Sequence, residues 1–192
     1  MGAYLCRAAK FAAPIGLVTI FAAPAFAQTD TINGADTAWM IVATALVLMM
    51  TIPGLALFYA GMVRKKNVLG TMAQSLAAVA IISILWVAFG YSLVFTGDGP
   101  WIGTLNRWFL SGVTMDSVNP AAKTIPEALF MLYQMTFAII TVALVAGSVA
   151  DRMRFSAYLT FSIGWFMFVY IPLAHWVWGG GFLGAAGVFD FA

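Results

Sequence analysis

The chain has 192 residues, 63% of them hydrophobic and only 8% charged, with a formal net charge of +2. Soluble globular proteins carry about 25% charged residues, so a mean hydropathy of +0.97 excludes a water-soluble domain and makes the bilayer the natural solvent. One cysteine (Cys6) and one histidine (His175) leave no disulfide framework, no cysteine metal centre and no multi-histidine site within this chain.

The first element in chain order is residues 1–27. Arg7 and Lys10 precede a short apolar stretch from Phe11 to Ala23, broken by Pro14, and Ala25-Phe26-Ala27 fits the small-x-small rule with a cut before Gln28. The segment reads as a secretory signal; a retained first transmembrane helix is the other reading. Cleavage would leave the mature N-terminus outside the cytoplasm. Residues 28–192 then form an all-α polytopic membrane domain. Its spans are expected at about 37–63, 71–95, 126–149 and 157–175, each near or above the ~20 residues that cross a bilayer. A fifth is expected to begin near Asp190.

Thr51-Ile-Pro53-Gly54 falls in the middle of the first span, where proline removes a backbone hydrogen bond and predicts a kink. Arg64-Lys65-Lys66 follows that span, and Asp151-Arg152-Met-Arg154 follows the third. These two loops hold five Lys/Arg and one acid, whereas the opposite side holds Arg107 and Lys123 against Asp30, Asp36, Asp98, Asp116, Glu127 and Asp190. The positive-inside rule puts 64–70 and 150–156 in the cytoplasm. The signal-peptide reading independently requires the same orientation. The outer loop, about 96–125, carries turn residues at Gly97, Gly99-Pro100 and Asn119-Pro120. Its Trp101, Trp108, Phe109 and Leu110 predict that it lies along the interface or packs on the bundle.

In the third span, Tyr133 and Phe137 are four apart and share a helix face. The pair fits ordinary aromatic packing or the lining of a conduit. Gln134 and Thr136 are polar groups at membrane depth, where partners are needed. At the outer end of the fourth span, Trp176 and Trp178 fit an interfacial aromatic belt. They also fit a cation site, since an indole face attracts positive charge. Gly179 to Gly181 would permit close backbone approach. Asp190 could cap a following helix or favour cations at an outer mouth. His175, alone at the interface, reads as structural. The spans hold no carboxylate pair, cysteine or histidine cluster, so no enzyme chemistry is expected.

Several blocks together resemble the ammonium transporter (ammonia channel)/Rhesus family. They are Pro53-Gly-Leu-Ala-Leu-Phe-Tyr-Ala-Gly-Met-Val-Arg64-Lys-Lys-Asn67, Ile84-Leu-Trp86-Val, Gly90-Tyr-Ser-Leu, Asp151-Arg-Met-Arg-Phe-Ser156 and Tyr170-Ile-Pro-Leu-Ala-His175-Trp-Val-Trp178-Gly-Gly-Gly181. The resemblance runs over about 36–192 in one register. It implies the N-terminal half of an eleven-helix inverted-repeat transporter fold, with the pathway between the two halves. It also implies a homotrimer of the full-length protein in the cell inner (plasma) membrane, and a cytoplasmic signalling protein as a partner of full-length relatives. The implied cargo is ammonium/ammonia; no cofactor, metal or nucleic acid is implied.

By the same resemblance Trp178 matches the vestibule tryptophan and Tyr133 the aromatic beside it. Phe137 matches the outer residue of a phenylalanine gate, and Asp190 the acid that shapes the recruitment site. The family's Asp-Phe-Ala-Gly-Gly signature begins at Asp190. Both pore histidines, the second gate phenylalanine and the vestibule serine are expected beyond residue 192, so these residues alone are not expected to conduct. A non-conducting ammonium-binding sensor or regulatory half-subunit is the alternative reading.

Overall fold

A computed structural model describes residues 31–188 and Asp190; the expected signal segment, 1–27, and the residues following Asp190 lie outside the described residues. Four long apolar helices dominate: α1 (Gly34–Met62), α2 (Lys65–Phe95), α3 (Glu127–Val149) and α4 (Phe155–Ala185). Each is long and apolar enough to cross a membrane, and the described residues contain only one isolated bridge, between Asn119 and Ala122, as β-type pairing. The chain is therefore an all-helical, multi-pass membrane protein. The bundle is built on α3, which packs against both α1 and α2, while α2 also packs along α4.

Local sequence explains where each helix begins and bends. Asn33 caps α1, its side-chain oxygen accepting from the Ala35 and Asp36 backbone N–H groups. Around Pro53 the helix widens into a π-helical turn, Met50–Leu55, which absorbs the hydrogen bond that proline cannot make. Similar turns occur at Trp86–Gly90 in α2, which holds no proline, and at Phe166–Tyr170 in α4, which Pro172 follows within the same helix. These two pack together. Trp86 is fully buried, its indole N–H donates to the Met131 carbonyl at 3.2 Å, and its ring meets Phe166 and Tyr170 edge-on. A Cβ at Gly90 would lie 2.9 Å from the Phe166 ring, so glycine is what lets the α2 and α4 turns close.

Several hydroxyls inside the spans are satisfied by their own helices, as Thr44 by Met40 O, Thr51 by Val47 O and Ser83 by Val79 O, whereas the buried hydroxyls of Tyr158, Ser162 and Tyr170 have no hydrogen-bond partner among the described residues. The outward faces are apolar: Trp39 and Phe58 on α1, Leu69 and Ile84 on α2 and Phe168 on α4 are all exposed. In water that surface would drive aggregation; in hydrocarbon it costs nothing.

The two ends of the bundle differ. At the basic end, the first turn of α2 and the loop after α3 meet through a hydrogen bond from Asn67 to Asp151. At the other end the long connection between α2 and α3 folds over the bundle. It is tied to α2 by Gly103 N to Leu93 O, to α4 by Phe182 N to Pro100 O, and to the start of α3 by Glu127 N to Ser117 O. It is also tied to the α1 cap by Asn33 N to Thr124 O. The expectation that this loop packs on the bundle holds for its backbone, yet Trp101, Trp108 and Phe109 keep more than half their surface exposed.

Candidate functional site

At the loop-covered end an open cavity of about 520 Å³ lies between α3, α4 and the connecting loop. Its walls include Tyr133, Phe137, Trp178 and Asp190, so all four residues singled out in the sequence converge there, together with Phe95, Phe130 and Ala121. Helical spacing accounts for the α3 wall. Phe130, Tyr133, Phe137 and Thr141 recur at three- and four-residue intervals and therefore share one face. The Tyr133 and Phe137 rings meet edge-on with centroids 5.0 Å apart. Thr136 turns its hydroxyl back to the Tyr133 carbonyl at 2.6 Å, which answers its need for a partner; Gln134 is half-buried and lines the cavity.

The fourth helix supplies the opposite wall because its chain reverses after Trp178. A Cβ at Gly179 would overlap the Val94 carbonyl oxygen, and Gly180 has a φ of 86°, in the region that favours glycine. The glycine run thus brings α4 against the end of α2, as the sequence anticipated. His175 secures the same junction. It is fully buried, with Nδ1 2.7 Å from Val94 O and Nε2 2.6 Å from Gly99 O.

The two tryptophans part company. Trp176 Nε1 donates to the Trp101 carbonyl at 2.7 Å, and its ring packs on Trp101 and Phe182. It belongs to the loop contact. Trp178 is 39% exposed and faces the cavity, its Nε1 donating to Asp190 Oδ2 at 3.0 Å. Asp190 thus holds an indole, a contact that neither of its two sequence readings, helix cap or charge at an outer mouth, names. A second open cavity of about 350 Å³ adjoins the first, sharing Phe95, Ala121 and Trp178 and adding Asp98, Asn119 and Gly180.

Chemically, this is an aromatic-walled mouth with a carboxylate at its edge. Ring faces attract cations within about 6 Å, and apolar walls penalise any charge that loses its water. Phe95 and Phe130 were not singled out in the sequence. Phe130 carries a signal in its spacing from Phe137, whereas Phe95 sits at the end of another helix, and only the tertiary fold brings it in.

Residues 38–192 match the Ammonium Transporter Family over a stretch that contains the whole cavity. The chain belongs to this family. An ammonium transporter of Bacillus subtilis is 52% identical over 157 residues, covering 82% of this chain and 38% of that protein. One of Aquifex aeolicus is 45% identical over 184 residues, covering 93% of this chain and 42% of that protein. Among solved structures, Saccharomyces cerevisiae Mep2 superposes with a TM-score of 0.75 at 35% identity, covering 86% of this chain and 38% of that one. Candida albicans Mep2 gives a TM-score of 0.71 at 37% identity, covering 84% and 35% respectively. The chain thus spans about two fifths of the length of the curated relatives it matches. It is a member of a transporter family, not of an enzyme family.

Proposed function

We propose that the protein carries ammonium/ammonia uptake across the membrane, and that this part of it supplies the outer recruitment vestibule and the first gate residue. The single observation that supports this most is the convergence of Trp178, Tyr133 and Phe137 on one open cavity, with Asp190 bonded to the Trp178 indole. Trp178 and Tyr133 would hold the cation against their ring faces. Phe137, one helical turn deeper than Tyr133, would form the outer layer of a gate, and Asp190 would set the indole's orientation.

The chemistry of selection follows from the cargo. Ammonium and potassium carry the same charge at similar size, so a sieve separates them poorly. Ammonium can donate hydrogen bonds and give up a proton; potassium can do neither. An aromatic site can gather the cation, after which a dry path admits neutral ammonia and charges potassium at least several kcal/mol for desolvation. The full protein is read as eleven helices in two inverted halves, assembled as a trimer. It would sit in the inner membrane with 64–70 and 150–156 in the cytoplasm and its mature N-terminus outside, after removal of 1–27. A cytoplasmic signalling protein is the expected regulatory partner.

The test is uptake by vesicles carrying the protein made from its complete reading frame. Saturable ammonium uptake that potassium does not compete away is expected. Trp178→Leu should raise the half-saturating concentration about fivefold, the scale of a partly exposed cation–π contact. Ammonium binding without flux would instead select the sensor or half-subunit reading.

A further inference from the structure

We propose that Glu127 is a positioning residue for this vestibule, holding its loop-side wall through Tyr91 and Asn119. The proposal rests on reading the cavity as a cation recruitment site. Glu127 opens α3 yet is only 2% exposed, an expensive place for a carboxylate unless it is held by partners. Its Oε1 accepts from the Tyr91 hydroxyl at 2.9 Å, and the Tyr91 oxygen in turn accepts from Asn119 Nδ2 at 3.0 Å. Its Oε2 takes no hydrogen bond and faces Arg107 Nη2 at 3.5 Å.

A carboxylate can only accept. It therefore obliges Tyr91 to donate to it, which leaves the tyrosine oxygen free to accept from Asn119. That fixes which way the Asn119 amide faces. Its oxygen is turned to its own turn, accepting from Ala121 N at 2.9 Å, while its backbone oxygen accepts from Ala122 N at 2.9 Å. The shape of the turn at 119–122 is thus set from a buried charge two hydrogen bonds away. Ala121 of this turn lines the Trp178 cavity, and Asn119 and Pro120 line the adjoining one. Tyr91 reaches the helical wall as well: its ring lies 5.8 Å from Phe95, which lines both cavities. Glu127 itself touches neither cavity, so it acts by holding others.

The test measures ammonium uptake by the complete protein in vesicles, comparing wild type with Tyr91→Phe, Asn119→Ala and Glu127→Gln. Each is also made in the Trp178→Leu background. Tyr91→Phe and Asn119→Ala are expected to raise the half-saturating concentration about fivefold, the scale of one lost hydrogen bond, with the maximal rate within about twofold. Glu127→Gln, which keeps an acceptor but no longer fixes the direction of the chain, should give a smaller rise. In the Trp178→Leu background these rises should vanish, since the wall would then have nothing to complete. A purely structural role would lower the amount of folded protein and the maximal rate, with half-saturation unchanged; that result overturns the proposal, as does full additivity with Trp178→Leu. Should Tyr91→Phe fail to fold, Asn119→Ala in the loop decides alone. Wild-type uptake insensitive to Trp178→Leu would defeat the recruitment reading, and this proposal with it; sensitivity to Trp178→Leu alone would defeat only the role of Glu127.

Discussion

An indole whose N–H is engaged by a carboxylate has its ring plane fixed, and a fixed plane decides which way its electron-rich face looks. Trp178 is in that position, held by Asp190 at 3.0 Å, while Trp176, two residues earlier, spends its N–H on a loop carbonyl. If Asp190 acts by orienting the ring, an uncharged acceptor should serve nearly as well. Asp190→Asn is therefore expected to stay within about twofold of wild-type half-saturation, whereas Asp190→Ala should raise it about fivefold, the scale of one hydrogen bond. Equal losses in both variants, read in the same uptake assay, would mean that the charge itself draws the cation. Sequence spacing put Tyr133 and Phe137 on one face, because both lie on one helix. It could not put Trp178 opposite them, since 40 residues and a helix reversal intervene between Phe137 and Trp178. There the family resemblance carried the assignment.

At the scale of elements, the spans were readable because apolar length alone defines them. Their bends were only partly readable. Pro53 announces the π-helical turn in α1 and Pro172 stands beside the one at Phe166–Tyr170, but the turn at Trp86–Gly90, which packs against α4, has no proline to mark it. The glycine run after Trp178 was readable as a place of close approach, and the structure names what approaches: Val94 O and the His175 ring. The Val94 carbonyl is backbone and the His175 ring is held between two carbonyls, so neither can yield as a flexible side chain can. Gly179→Ala is thus expected to destabilise the fold by about 2–3 kcal/mol, as overpacking does. Thermal unfolding in detergent would register this as a midpoint several degrees lower. An unchanged midpoint would mean that α4 can back away from α2 freely. The Glu127–Arg107 contact was not readable at all. Both residues appeared in the sequence only as charges on the outer side, and the irregular path of the loop is what joins them.

For the whole molecule, the question is how much of a transporter these 192 residues contain. The aromatic cavity is open, and the residues expected to form the inner pore, including two histidines, are placed by resemblance beyond residue 192. Expressed alone in vesicles, this stretch is expected to show no saturable, selective ammonium flux above empty vesicles; flux inhibited by Trp178→Leu would refute that. The loop that roofs the cavity has a consequence of another kind. Its backbone is bonded to α2 at Leu93, to α4 at Phe182, to the start of α3 at Glu127 and to the α1 cap at Asn33. No subset of these four helices can satisfy all four bonds, so the roof can close fully only after all four are in place. During synthesis it settles after these four helices, and its resistance to an added protease records whether their insertion has finished.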